Sequence, residues 1–261
     1  MRSIWMIKGK WLFIGTDKRM SLCSKIMSER GYTCRAVKMD TYTEELKQVL
    51  IDFSPDNIVF PIHQIKGTIP LELINEGTQL YTGAASDAWI TPFEQAEILV
   101  HRYLHEEQFI WENARLTAEA LVSVYYTRTG RTISGKSFYV AGYGRVGKMV
   151  ADVLASLGGQ VSVIARSDGQ LAEAAARGFK IGELKNMFEV DSCLINTIPS
   201  QWLSIKSDTN LLIFDLASLP GCLTGATMPE YYTLLPGLPG KYFPLDAATA
   251  LAGALERIYR R

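Results

Sequence analysis

The chain has 261 residues, and its 27 lysines and arginines are balanced by 27 aspartates and glutamates, so the formal charge is zero. That balance excludes an electrostatic nucleic-acid binder, which needs a basic excess to neutralise phosphates. A hydrophobic content of 48% calls for packed cores rather than long disorder, and no run of about 18 apolar residues is present to span a bilayer. At roughly 150 residues per domain the length suggests two domains. Met1 to Lys10 is too short and too mixed for a secretory signal. Cys23, Cys34, Cys193 and Cys222 form no Cys-x-x-Cys pair and lie far in sequence from His63, His101 and His105. A cytoplasmic protein with reduced thiols and no metal site is therefore expected.

Trp11-Leu-Phe-Ile14 ends at Gly15-Thr16-Asp17, which predicts a buried strand, a turn and a helix N-cap. Met20, Cys23, Ile26 and Met27 share one face of a helix over 18–30, stopped by Gly31. Tyr32 to Val37 reads as a second strand, Thr43 to Leu50 as a helix, Asn57 to Pro61 as a third strand and Leu80 to Gly83 as a fourth. Strands alternating with helices imply a parallel sheet covered on both faces. From Pro92, the spacing of Phe93, Ala96, Leu99, Val100, Tyr103 and Leu104 predicts a helix. A break over 108–113 separates it from a second helix, Leu116 to Tyr126, ended by Gly130. On the first of these helices His101 and His105 stand at i, i+4 with Glu97 one turn earlier, a spacing that could share a metal. The plainer reading is an exposed polar face, since no third ligand presents itself.

The informative stretch is Lys136 to Val150. Ser137 to Ala141 is a strand that runs into Gly142-Tyr-Gly144-Arg-Val-Gly147, and Val146, Val150, Val153, Leu154 and Leu157 recur behind it at helical spacing. Gln160 to Ala165 is the next strand. In this context the first glycine permits a tight turn, the second lets backbone approach a pyrophosphate and the third lets helix pack on sheet. The open N–H groups and dipole of the first helical turn hold the anion. An NAD site usually carries an acid about 20 residues on, to bind the ribose. Here the strand tip carries Arg166, followed by Ser167, and no carboxylate. A guanidinium clasps a 2′-phosphate through charge-assisted bonds, so NADP is expected in preference to NAD. The competing reading leaves Arg166 in solvent and lets Asp168 reach back to the ribose.

Asp168 to Arg177 is an Ala-rich helix stopped by Gly178. Cys193 to Asn196, Leu211 to Asp215 and Thr233 to Leu235 are further strands, followed in turn by Thr197-Ile-Pro199, Leu216-Ala-Ser218 and the loop Pro236 to Gly240. Ligands on open α/β sheets bind beyond the carboxyl ends of strands, which is where Asn196, Thr197, Asp215 and Ser218 fall. Asp246 is placed to cap a final helix over Ala247 to Tyr259. The predicted architecture is α/β, with two doubly wound parallel-sheet domains bridged by helices. Residues 1–112 form an N-terminal, substrate-side domain and 113–130 a bridging helix. Residues 131–242 form a Rossmann dinucleotide-binding domain, and 243–261 a helix returning toward the first domain to close a cleft.

Six motifs occur in order: Thr117-Ala-Glu119, the Gly142 to Gly147 turn, Ala165-Arg166, Asn196-Thr-Ile-Pro199, Asp215-Leu-Ala-Ser218 with Pro220-Gly221, and Leu235-Pro-Gly-Leu-Pro-Gly240. Together with the opening Ile14-Gly-Thr-Asp17-Lys-Arg19, this set resembles the dipicolinate synthase A-subunit family of spore-forming bacteria, most strongly over 113–240. The resemblance implies a two-domain fold related to D-2-hydroxyacid dehydrogenases. It implies oxidation of a dihydrodipicolinate-type ring to pyridine-2,6-dicarboxylate, with hydride passing to NADP. It also implies a place in the mother-cell cytoplasm during sporulation, and work with a second, flavoprotein-like subunit. A homodimer is the usual oligomer for such a protein. The sequence departs from the family at Leu116 and Ala120, at Cys222, and at Leu245 and Asp246, where the family carries a proline, a glycine, a second glycine, a lysine and a threonine.

The expected site follows. Gly142, Tyr143, Gly144, Arg145, Val146 and Gly147 cradle the pyrophosphate. Arg166 and Ser167 take the 2′-phosphate, and Asn196, Thr197, Ile198 and Pro199 line the ribose and nicotinamide. Asn113, Thr117, Ser218 and Lys241 face a dicarboxylate substrate. Ring oxidation needs a base, and Glu119 and Asp215 both qualify. Two other functions stay open: a paralogue acting on another imino or hydroxy acid, and a nucleotide-binding sensor without chemistry.

Overall fold

The computed structural model describes residues 9–182, 192–204, 211–225 and 229–261. The chain divides into two compact units, Met1–Asn113 with Gly240–Arg261, and Ala114–Pro239. No helix among the described residues is long and apolar enough to cross a membrane.

In the first unit β1 (Lys10–Ile14), β2 (Thr33–Val37), β3 (Asn57–Val59), β4 (Gln79–Thr82) and β5 (Val100–Arg102) pair in parallel, in the order β2-β1-β3-β4-β5. Trp11 to Ile14 are wholly buried, as a central strand with both faces covered must be. Side-chain caps start the helices between the strands. Asp17 accepts from the Arg19 N–H at 2.9 Å before α1 (Lys18–Glu29), and Thr43 Oγ1 accepts from the Leu46 N–H at 3.2 Å before α2 (Glu44–Phe53). Ser86 caps α3 (Asp87–Gln95) in the same way. Each cap satisfies an N–H that the first helical turn leaves open.

One core of this unit is aromatic. Trp11 packs against Tyr32, Tyr81 and Tyr259 with ring centroids 5.0–5.8 Å apart. Tyr259 belongs to α8 (Pro244–Tyr259), whose Ala248, Leu251, Ala252, Ala254 and Leu255 share a buried cluster with Met20, Cys23 and Met27 of α1. Polar contacts fix α8 in place. The Glu106 carboxylate accepts from the Arg257 Nε at 3.0 Å and Nη2 at 2.6 Å, and from the Phe109 N–H at 2.8 Å. That last bond caps α4 (Glu107–Thr129). Arg30 Nη1 meets Glu256 at 2.9 Å.

In the second unit β6 (Ser137–Ala141), β7 (Gln160–Ile164), β8 (Lys180–Gly182), β9 (Cys193–Asn196), β10 (Leu212–Asp215) and β11 (Tyr232–Leu234) form a parallel sheet, in the order β11-β10-β9-β6-β7-β8. The order reverses between β6 and β9, which makes that junction the topological switch point. Among the described residues α5 (Arg145–Ser156) follows β6, α6 (Asp168–Ala176) follows β7, and α7 (Leu238–Tyr242) follows β11. The two parallel sheets agree with the α/β architecture expected from the sequence.

Four local expectations are corrected. The apolar spacing from Phe93 to Leu104 does not make a helix. α3 ends at Gln95, Glu97 takes a left-handed φ of 58°, and Val100–Arg102 pairs with β4 as the edge strand. The β-branched Val100 suits a strand, and Leu99 on the supposed buried face is 60% exposed. His101 therefore sits on a strand and His105 in a 3₁₀ turn, not one helical turn apart. His101 Nε2 lies 2.9 Å from Gln79 Oε1, and burial holds its imidazole below the ordinary value. The break over 108–113 is absent, because Glu106 caps a helix that already starts at Glu107. The Pro236 to Gly240 loop turns helical at Leu238, and α8 starts at Pro244, so Asp246 stands in its first turn and not at its cap.

Glu106 supplies a test of how α8 is held. The Arg257 guanidinium holds its carboxyl below the ordinary 4.5. A depressed carboxyl contributes stability above its unfolded value and loses it as pH falls through the folded one. Glu106→Gln should cost roughly 1–3 kcal/mol at neutral pH. Thermal melts should show that deficit shrinking below about pH 4; an equal deficit at acid pH would contradict the assignment.

Candidate functional site

β6 ends at Ala141, and the chain turns at Gly142, whose φ is +90°. The Gly142 N–H still donates to the Ile164 carbonyl of β7 at 2.8 Å, so the turn begins while the ladder is intact. A Cβ on Gly142 would lie 2.5 Å from Thr197 Oγ1, and one on Gly147 would run into the Gly142 carbonyl. These two glycines are required by the chain itself. Gly144 is different: its φ is −78°, and a Cβ there would meet nothing within 4 Å. No packing among the described residues accounts for a glycine at this position, whereas a ligand lying against the backbone does. Gly144 is also the N-cap of α5, with no side-chain cap bond. The cradle thus fits a dinucleotide pyrophosphate: an open turn, a helix N-terminus and room above the second glycine.

The Tyr143 side chain is taken up in packing. Its ring is buried, packs edge-on against Phe179 at 6.3 Å and carries the Lys148 ammonium 5.7 Å from its centroid. Arg145 is exposed and Val146 half-buried on the first turn of α5. Arg166 stands two residues beyond β7, exposed, with no ion pair to a described residue. Ser167 Oγ accepts from the Gln170 N–H at 3.4 Å and so caps α6. Its hydroxyl proton is left to donate outward.

On the other side of the switch point the side chains turn inward. Thr197 Oγ1 donates to the Ala141 carbonyl at 2.9 Å and lies 3.3 Å from that of Gly142, which fastens the glycine turn to the end of β9. Asn196 is wholly buried and its amide is fully used. Its Oδ1 accepts from the Ile198 N–H at 3.1 Å and from Trp202 Nε1 at 3.0 Å. Its Nδ2 donates to the Ile198 carbonyl at 3.1 Å and to Asp215 Oδ1 at 2.7 Å. Ile198 is half-buried and Pro199 exposed, so the surface offered at this strand end belongs to them.

Asp215, one of the two candidate bases, is also wholly buried. Besides Asn196, it accepts from the Ala217 N–H at 3.0 Å, the Cys222 N–H at 2.6 Å and the Tyr232 hydroxyl at 2.7 Å. Four donors occupy the four lone-pair directions of a carboxylate. This is the setting of a structural carboxylate, and it leaves no oxygen for a substrate proton. Burial above all, and then the Asp215 charge, push the Cys222 thiol and the Tyr232 phenol well above their ordinary values. Glu119 is exposed on α4 and paired with Arg115 one turn earlier at 2.7 Å.

The structure gathers Gly142 to Gly147, Arg166, Ser167, Asn196 to Pro199 and Asp215 at the carboxyl edge of the second sheet. Ser218 is exposed three residues beyond β10. Thr117 is buried and Glu119 exposed on α4, both in the second unit, whereas Asn113 and Lys241 belong to the first. Trp202, Cys222 and Tyr232 are the members of this edge that the sequence does not announce. Each joins through a tertiary hydrogen bond for which no periodicity or motif exists; the small Pro220-Gly221 pair is the one available sign of a close approach.

Residues 105–204 match the D-isomer specific 2-hydroxyacid dehydrogenase NAD-binding domain. The A subunit of dipicolinate synthase from Bacillus subtilis (strain 168) is 37% identical over 161 residues, or 56% of this chain and 52% of that protein. The matched segment thus spans about half the length of this curated relative. The crystal structure of the Bacillus subtilis dipicolinate synthase A chain superposes with a TM-score of 0.75 at 24% identity, covering 97% of this chain and 96% of that one. The corresponding dipicolinate synthase protein from Bacillus halodurans gives the same TM-score at 22% identity, over 97% and 98%. With the glycine cradle and the six-stranded sheet, these likenesses give residues 105–204 a 2-hydroxyacid dehydrogenase NAD-binding domain, within a 161-residue segment homologous to part of the dipicolinate synthase A-subunit.

Proposed function

We propose that the chain is an NADP-dependent oxidoreductase that oxidises a dihydrodipicolinate-type ring to dipicolinate. The observation that carries this reading is the cradle at Gly144, where a Cβ would meet no described residue within 4 Å and the backbone stands open to a ligand. The exposed Arg166, without an ion pair to a described residue and beside the α6 N-terminus, favours the 2′-phosphorylated dinucleotide. The homology to the dipicolinate synthase A-subunit supports the substrate class.

A bound nicotinamide supplies the hydride acceptor. The protein must hold the dinucleotide, hold the dicarboxylate and take the ring proton that leaves as hydride departs. Gly142 to Gly147 hold the pyrophosphate, Arg166 and Ser167 the 2′-phosphate, and Ile198 and Pro199 the face beyond β9. Of the two candidate bases, Glu119 keeps an oxygen exposed, so it is the one assigned to the proton. Asn113, Thr117, Ser218 and Lys241 are assigned to the substrate, with Lys241 as the cation for a carboxylate. We place the protein in the cytoplasm during sporulation, working with a flavoprotein-like second subunit, itself as a homodimer. A second reading keeps the cofactor and changes the substrate to another imino or hydroxy acid. It is favoured by Leu245 and Asp246, both exposed where the family carries a lysine and a threonine.

Three measurements test the proposal. Mixing the protein with NADP⁺ and freshly generated dihydrodipicolinate should raise the absorbance of reduced nicotinamide. Binding of NADPH with no hydride transfer, with or without the second subunit, would move the assignment to the other substrate or to a sensor. Arg166→Asp should weaken NADPH binding by about 10–100-fold and leave NADH binding little changed, the loss of charge-assisted bonds to one phosphate. The glycines should separate: Gly144→Ala should keep the melting temperature and lose most nucleotide affinity, whereas Gly147→Ala should lower the melting temperature itself.

A further inference from the structure

We propose that Asp215 is a positioning residue that presets the nicotinamide half of the cofactor site. The inference rests on the dinucleotide reading of the glycine cradle. The sheet is built of two halves, β6–β8 and β9–β11, joined at the switch point. The residues assigned to the pyrophosphate and the 2′-phosphate all lie on the first half, after β6 and β7. Everything that Asp215 touches lies on the second: Asn196 at the end of β9, Ala217 and Cys222 after β10, and Tyr232 at the start of β11.

The carboxylate fixes backbone where a ligand would lie. Asn196 and Ala217 stand at the ends of two adjacent strands, and Asp215 Oδ1 bonds to both. Through Asn196 it sets both the N–H and the carbonyl of Ile198. Its Oδ2 holds the Gly221–Cys222 segment, which passes so close that a Cβ on Gly221 would collide with Tyr232 Oη. Gly221 has a φ of +85°, so the loop is shaped for this approach. A strand-end backbone fixed before binding leaves less to be ordered by the ligand. Because the network does not reach the first half of the sheet, its loss should be felt by one half of the dinucleotide only.

The experiment compares the whole ligand with a fragment. NADPH spans both halves, whereas adenosine 2′,5′-bisphosphate engages the first half alone. Asp215→Asn keeps the shape but sets an NH2 group against the donors on one of the two oxygens, those of Asn196 and Ala217 or those of Cys222 and Tyr232. It should raise the NADPH Kd by about tenfold and leave the bisphosphate Kd within about twofold. Tyr232→Phe removes one donor and keeps the carboxylate, and it should weaken NADPH about threefold, again without effect on the bisphosphate. If Asp215→Asn does not fold, Tyr232→Phe decides. Equal weakening of both ligands, or no weakening of NADPH in a folded variant, would overturn the proposal and leave Asp215 a merely structural residue. Failure of the wild-type protein to bind either ligand would overturn the dinucleotide reading instead. Binding of NADH and AMP but not the bisphosphate would overturn only the NADP preference, and the comparison would then be made with that pair.

Discussion

A parallel sheet ends all its strands on one side, and the backbone groups just past those ends have left the ladder that satisfied them. Where the ends are buried, each such group needs another partner. In the second unit one carboxylate meets much of that demand. Asp215 collects donors from the end of β9, from two points on the chain after β10, and from the hydroxyl of Tyr232 on β11. The glycine turn is held beside it by a contact of its own, from Thr197 to the carbonyl at the end of β6, in which Asp215 takes no part. An acidic side chain with no exposed oxygen thus holds together one half of the edge, beside a glycine turn shaped to receive an anion. A carboxylate pointing outward there would repel the phosphates; one pointing inward arranges the N–H groups of the loops around it.

The first unit solves a different problem. Its strands are short and the interior strand β1 carries Trp11 and Phe13, so its core depends on what covers Trp11. That cover comes from Tyr81 within the sheet, Tyr32 beside it and Tyr259 at the far end of the chain. The alanines of α8 keep its axis close to α1, and the charged residues at its end clamp it through Glu106 and Arg30. The polar ties are more directional than the apolar ones, and they select one seating of the helix among the several that a smooth alanine face would allow.

Most of this architecture is legible in the order of residues. Gly142, Gly144 and Gly147, spaced as they are between a strand and a helix, point directly to a phosphate-binding turn, and the apolar run Trp11 to Ile14 reads directly as a buried strand. The stretch from Phe93 to Leu104 misleads because a short apolar run satisfies helical and strand spacing alike, and only the free edge of β4 decides between them. Asp215 misleads for another reason. A carboxylate at a strand end looks the same in sequence whether it faces solvent or core, and the donors that turn it inward, Asn196 and Tyr232, lie 19 and 17 residues away. Arg166, by contrast, is found by absence: the acid expected at that tip is missing, and the arginine that replaces it pairs with no described residue.

The first unit is assembled from two pieces of chain with the whole of the second unit between them. The second unit is continuous, so it can complete its core from residues that follow one another. During synthesis α1 must wait for α8, which leaves the ribosome only after the entire nucleotide-binding unit. Until then the cluster of Met20, Cys23 and Met27 with Trp11 and Tyr32 lacks the part of its cover that α8 supplies. Vectorial synthesis therefore favours a folding order in which the second unit closes before the first.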